Sequence, residues 1–437
     1  MNRRGGLAAA SWAVLAAVVV TLSARPAPAS TMLQGVCPPE VADYPDRGPW
    51  PAAARVAPVR VVLALRDRAG LERLIAAQQD PTSAEFAHWR EANELADRFG
   101  APRARYERVR AWLRRRGFEV VHDSPLRAAI TVAGTTAQVE AAFRVPLRAV
   151  TRAGAVLRTP RADPRLPPSL RTDVATIIGL DELTTARPVV GLPAGGFALA
   201  PSDFALGYEI APLFARGGSG AGVTVGVVAR SDFAAADVDD FRGRFLPDAT
   251  GVVRKLFPSA TPGIVASAGN VEENEVLLDT QWAGAVAPGA TVETVIGSKS
   301  GGVLEALESL VEGNRADVLS FSFALCEPET PAGFAAWIDA LYAFANAQGQ
   351  TVVVAAGDGG DHDCPRRSRR AVNVLAASPH AIAVGGTALD LVVDGDGHAT
   401  AVGDERVWDD ASGAGGMTCL KIKEFGRRDL KSTYMRL

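Results

Sequence analysis

ADVLSFSFAL, residues 316–325, and TVVVAAG, residues 351–357, are short, near-continuous apolar runs separated by a helical stretch, GFAAWIDALYAFANAQG, residues 333–349. Three further runs share this texture: GVTVGVV at 222–228, ATVETVIG at 290–297 and AIAVGG at 381–386. A strand that reads apolar on both faces is covered on both faces, and strands alternating with helices such as VLEALESLVEG at 303–313 make a mostly parallel sheet. The reading is therefore an α/β domain with helices on both faces. In such sheets chemistry sits at the carboxyl ends of the strands. Three loops fall there: SFALCE at 322–327, AAGDGG at 355–360 and VGGTAL at 384–389. Asp358, flanked by glycines that let a backbone approach a ligand, reads equally as a site residue and as a turn aspartate.

Upstream of this sheet the pattern changes. Residues 58–152 read as a small α+β domain: a strand at VRVVLAL, helices at 69–79 and 91–116, paired strands at FEVVHDS and AAITVAG, a helix at TAQVEAAF and a closing strand at VPLRAV. Residues 153–200, rich in Pro, Thr and Arg, read as an exposed linker. The α/β domain then occupies 201–418, and residues 419–437 form a tail of different composition.

With 437 residues, 48% of them hydrophobic and 22% charged, the chain has enough apolar material for two or three cores. A net charge of -3 gives no field that argues for nucleic acid or an anionic membrane as partner. The arginine-rich run at 103–118 also carries Tyr106, Val109, Trp112 and Leu113 at helical spacing, an amphipathic helix with a basic outer face. Arg3 and Arg4, the apolar run from Leu7 to Leu22 and Ala27-Pro28-Ala29 predict a signal peptide over residues 1–29, and hence export without a membrane anchor. Exported cysteines meet oxidising conditions. Cys326 and Cys364 each follow a strand-like run, and adjacent parallel strands would bring them together as a disulfide. His362, beside Asp361 and Asp363, reads as part of a polar loop rather than a metal ligand.

One further stretch carries chemistry. In EVLLDTQWAGAVAPGA, residues 275–290, Glu275 and Asp279 lie one helical turn apart on one face. Two such carboxylates repel as surface residues. Buried together, one apparent pKa rises and the pair holds a proton.

These residues together resemble the sedolisins, the serine-carboxyl peptidases of family S53. Asp80-Pro81-Thr82-Ser83, Trp112-Leu113 and the run from Gly134 to Phe143 are similar to the pro-kumamolisin activation domain. EVLLDTQWAGAVAPGA resembles the family's catalytic helix, SFALCE its substrate loop, and AVGGT and SGAGG later elements. The resemblance implies a subtilisin-like catalytic fold behind a ferredoxin-like prodomain that serves as intramolecular inhibitor and chaperone. It implies an acid-active endopeptidase cutting polypeptides, with Glu275 as general base, Asp279 orienting it, Asp358 protonated at the oxyanion, and Ser322, Phe323 and Ala324 binding substrate. It also implies calcium. Ala324 stands where the family has glycine, which puts backbone pairing with substrate in question.

The resemblance stops short of the nucleophile. The family's Gly-Thr-Ser-x-x-x-Pro does not occur: GGTALD offers Ala388 at a different element, and Ser412 comes too early. Lys421, Lys423 and Lys431 crowd a tail that departs from the family pattern. The expectation is a catalytic domain interrupted by a frameshift or early stop, without its serine and calcium ligands, and inactive as written. The rival reading is a secreted, non-catalytic binding or chaperone-like relative.

Overall fold

The computed structural model describes residues 31–188, 199–266, 271–358, 371–395 and 399–407. Its N-terminal domain is built on an antiparallel four-stranded sheet. In spatial order the strands are β4 (Glu119–Asp123), β5 (Ala129–Thr135), β3 (Arg55–Leu63) and β9 (Val174–Ile178). Helices α1 (Arg68–Gln79), α2 (Ala92–Arg98) and α3 (Arg103–Arg115) connect β3 to β4, and α4 (Thr136–Phe143) follows β5. Local signals start these helices: the Asp67 carboxylate accepts from Gly70 N–H, and Thr135 and Gln138 form a reciprocal capping box on α4. β1 (Thr31–Met32) pairs with β8 (Arg165–Leu166), while β2 (Asp46–Pro49), β6 (Leu147–Arg152) and β7 (Ala155–Pro160) make a three-stranded antiparallel sheet.

Two sequence expectations are corrected here. The single helix at 91–116 is two helices, broken at Gly100-Ala101-Pro102, because proline at 102 cannot continue α2 but suits the start of α3. Residues 153–180 are not an exposed linker. They supply β7, β8 and β9, with Leu166, Val174 and Ile177 buried, so the domain runs on well past Arg152. Frequent prolines at strand edges gave that segment its loop-like composition.

The second domain holds the expected parallel sheet. Its strands are β11 (Thr224–Ala229), β12 (Val253–Leu256), β13 (Thr291–Ile296), β14 (Val318–Phe321), β16 (Thr351–Ala355) and β17 (Ile382–Val384), in the order β12-β13-β11-β14-β16-β17. All these pairings are parallel. Short helices α5 (Pro201–Gly207) and α6 (Ala211–Ala215) precede the sheet, and α7 (Ala235–Phe245), α8 (Val271–Val286), α9 (Gly302–Glu312) and α10 (Ala332–Ala347) connect its strands. α10 is apolar nearly all round and is buried accordingly, with Trp337, Leu341, Tyr342 and Phe344 at 1% exposure or less. The β17 edge leaves Ile382 and Val384 exposed, and β18 (Thr387–Val393) pairs with β19 (Ala399–Val407) as a separate antiparallel hairpin. Among the described residues no helix is long and apolar enough to cross a membrane.

The two domains share a core. Leu71, Leu74 and Leu95 of α1 and α2 belong to the same apolar cluster as Phe334, Trp337 and Leu341 of α10. Ion pairs cross the same join: Arg60 with Glu308, His122 with Glu312, and a group in which His380 bridges Glu72 and Asp339 while Arg68 binds both carboxylates.

Candidate active site

β11 connects leftward to β12 and β14 connects rightward to β16, so these adjacent strands form the switch point of the sheet. In open sheets of this kind the ligand crevice lies at such a point, because the loops leaving the two strands run in opposite directions. Arg230 ends β11 and Ser322 ends β14. Helix α8 packs on β11 and β13, with a buried hydrogen bond between the Thr280 and Thr294 hydroxyls, 2.9 Å, fixing its rotation. That rotation turns Glu275 and Asp279 inward.

The Ser322 hydroxyl donates to Asp279 Oδ1 at 2.8 Å. Glu275 is 3% exposed, and its Oε2 is buried with no hydrogen-bond partner. Both carboxyls are raised well above the ordinary carboxylate range. For Glu275 burial is the first cause, followed by the charges of Asp279, Asp358 and Glu272, with Ser322 opposing. For Asp279 burial raises the value and the Ser322 bond opposes. Asp358, just past β16, is thus near enough to act on Glu275 through its charge. The structure therefore brings the three predicted acids together with Ser322. A hydrogen-bond acceptor left bare in such a place is costly unless a donor visits it.

β15 (Phe323–Ala324) is held open for pairing by Asn373. The Asn373 side-chain amide donates to Phe323 O and Ala355 O, at 2.9 and 2.8 Å, and its oxygen accepts from Leu325 N–H at 2.9 Å. Along the free edge of β15 lies β10 (Arg187–Pro188), antiparallel, with Arg187 opposite Ala324 and Pro188 opposite Phe323. Strand pairing with β10 is made at Ala324 in spite of its Cβ. Arg230 sits at the side: it grips Glu272 of α8 through Nε and Nη2, donates from Nη1 to Ala186 O at 2.6 Å, and lies over the Phe323 ring at 5.3 Å. Neither Asn373 nor Arg230 carried a sequence signal. A lone polar residue outside a helix or strand has no periodicity to read.

Cys326 is disulfide-bonded. Its predicted partner Cys364, and His362, lie outside the described residues, as do Ser412 and the tail. Among the described residues, Glu72, Asp339 and His380 place ligating atoms within 4.8 Å of one another. This group does not fit calcium, which takes oxygen ligands: both imidazole nitrogens already face carboxylates, and the Arg68 cation touches both acids.

The family profile "Pro-kumamolisin, activation domain" matches residues 43–183. The chain is 29% identical over 393 residues to sedolisin of Pseudomonas sp. (strain 101), covering 84% of this chain and 64% of that protein. To kumamolisin of Bacillus sp. (strain MN-32) it is 26% identical over 391 residues, covering 85% and 68%. Xanthomonalisin of Xanthomonas sp. (strain T-22) is 26% identical over 409 residues, and the chain spans only 47% of its length. Among solved structures, Pseudomonas sedolisin complexed with pseudo-iodotyrostatin overlaps at 26% identity with a TM-score of 0.41, over 49% of this chain and 59% of that one. The activation-domain match over residues 43–183 and the similarity to three peptidase relatives agree with one another, and together they support the sedolisin family, S53, as the family of this chain.

Proposed function

We propose that the chain is the proenzyme form of an exported, acid-active serine-carboxyl endopeptidase. The observation that carries this reading is the Glu275–Asp279 pair: two buried carboxyls at a sheet switch point, one with a bare oxygen, beside Asp358. In this role Glu275 takes the proton of an attacking hydroxyl, Asp279 shares and orients that proton, and protonated Asp358 donates to the oxyanion of the tetrahedral intermediate. Polypeptide substrate pairs with Phe323 and Ala324 as β10 does, and Ser322 holds Asp279.

The N-terminal domain is read as a ferredoxin-like prodomain. Its support is the β-α-β-β-α-β order with strands arranged β4-β5-β3-β9. As a pro-kumamolisin activation domain it acts as the intramolecular inhibitor, and the linker strand β10 lies where substrate would lie. β10 also packs against α8, which adds to the burial that keeps the carboxyls protonated. Removing the linker lets water reach them and frees a base.

The attacking serine belongs to a Gly-Thr-Ser-x-x-x-Pro segment that these 437 residues do not contain. The chain as written cleaves no casein at acid or neutral pH, and a version restored after SGAGG with a family segment that carries Gly-Thr-Ser-x-x-x-Pro cleaves it in acid. Glu275→Gln in the restored version abolishes cleavage. Activity that survives Glu275→Gln refutes the assigned base, and a restored version inert at every pH refutes the enzyme reading.

A further inference from the structure

Arg230 spends its guanidinium in an unusual way. Two N–H groups bind the Glu272 carboxylate, a third binds the main-chain carbonyl of Ala186 at 2.6 Å, and its face covers Phe323, the residue paired with Pro188. The side chain is 21% exposed and Glu272 12%, so the group is largely withdrawn from water. A planar guanidinium held from one side by a bidentate carboxylate and stacked on a ring has little freedom left, and its remaining donors point along a fixed direction.

We infer that Arg230 is a positioning residue that holds the chain's own linker in the crevice by its main chain. The inference rests on the reading of β15 as the substrate track and adds to it the group that fixes the occupant. β10 and β15 pair over only two residues. Such a short ladder does not seat a segment alone. The Arg230 bond falls on the residue immediately before that ladder, extending the grip beyond β15 to a second strand end, that of β11. Because the acceptor is a backbone carbonyl, the grip is indifferent to the side chain at 186. Ala186 itself is 7% exposed, so the neighbouring wall also favours a small residue there. Glu272 aims the guanidinium and balances its charge.

The test is hydrogen–deuterium exchange of residues 184–188 in the full chain, read by mass spectrometry. Arg230→Met alone would also change the charge balance at the Glu272 carboxylate, so the clean comparison is Glu272→Gln against Arg230→Met/Glu272→Gln. Exchange in the segment is expected to quicken by about tenfold in the double variant, the size of one charge-assisted hydrogen bond, while β3 and β5 keep their protection. Arg230→Lys keeps the pairing with Glu272 and the melting temperature but cannot also reach the carbonyl, so it exchanges like the double variant. Equal exchange in the double variant and Glu272→Gln overturns the inference and leaves the peptidase reading intact. An unprotected segment in the unsubstituted chain overturns both the inference and the placement of the linker on the substrate track.

Discussion

Arg60 Nε donates to Glu308 Oε1 at 2.7 Å across the join between the two domains, with side-chain exposures of 4% and 8%. Burial pushes the Glu308 carboxyl up, and Arg60 opposes that push. Arg60→Met takes from the buried Glu308 carboxylate its paired guanidinium and should cost about 3–5 kcal/mol. Arg60→Met/Glu308→Leu, which removes both charges, should recover most of that loss. Urea unfolding of the three proteins at neutral pH measures both numbers, and a double variant no better than the single one would show that the pair does more than neutralise itself.

The dyad makes stability fall as pH rises. Glu275 and Asp279 have folded-state values above their unfolded ones, so the native state binds more protons. Their contribution is fully present below the ordinary carboxylate range, about 4, and is lost as pH rises through the raised values. Glu275→Gln removes the charge that burial resists. It should flatten the pH dependence of unfolding free energy on the alkaline side, measured by urea titration across pH 5 to 9 against the unsubstituted chain. Parallel curves would contradict the assigned burial of the pair.

His380 behaves with the opposite sign from its acids. Burial alone would lower it, but its bonds to Asp339 and Glu72, with their charges, raise it. Glu72 and Asp339 are held low against their own burial, by His380 and by Arg68. The imidazolium contributes stability that is present below the unfolded histidine value, about 6.5, and lost as pH rises through the folded one. The carboxylates contribute above their unfolded values and lose it as pH falls through the depressed ones. His380→Gln should therefore cost about 1–3 kcal/mol near pH 6, with a smaller deficit at strongly acid and at alkaline pH. Thermal unfolding at three pH values checks the shape of that dependence.

Gly349 ends α10 with φ +90, a conformation that L side chains adopt rarely, and a Cβ there would lie 2.7 Å from the Trp89 ring of the N-terminal domain. Gly349→Ala should cost about 1–2 kcal/mol from the backbone, plus the displacement of Trp89. A fall in melting temperature with a shift in tryptophan fluorescence would report both, whereas an unchanged emission would place the whole cost in the helix end.

Much of this was legible in the residues. The parallel sheet could be read because its strands are apolar on both faces, and the dyad because two acids four apart, with only apolar residues between them, have no structural use. β9 was not legible: the residues around Val174–Ile178 are rich in Pro, Arg and Thr, and the strand is called into the sheet by β3, more than a hundred residues upstream in the chain. The break between α2 and α3 was written in Pro102 but outweighed by helical spacing on either side. Arg230, Asn373 and the ion pairs at the join depend on which surfaces meet, and no local pattern encodes that.

The two-residue ladder of β10 on β15 has a kinetic meaning, because the strand is covalently continuous with the N-terminal domain. A free peptide making the same contacts would leave on dilution. A tethered one meets the crevice at an effective concentration set by its tether, of millimolar order for a short flexible connection, at any protein concentration. Occupancy of the crevice is thus a first-order property of each molecule. It changes when the tether is cut or the domains part, and it does not respond to how many molecules share the solution.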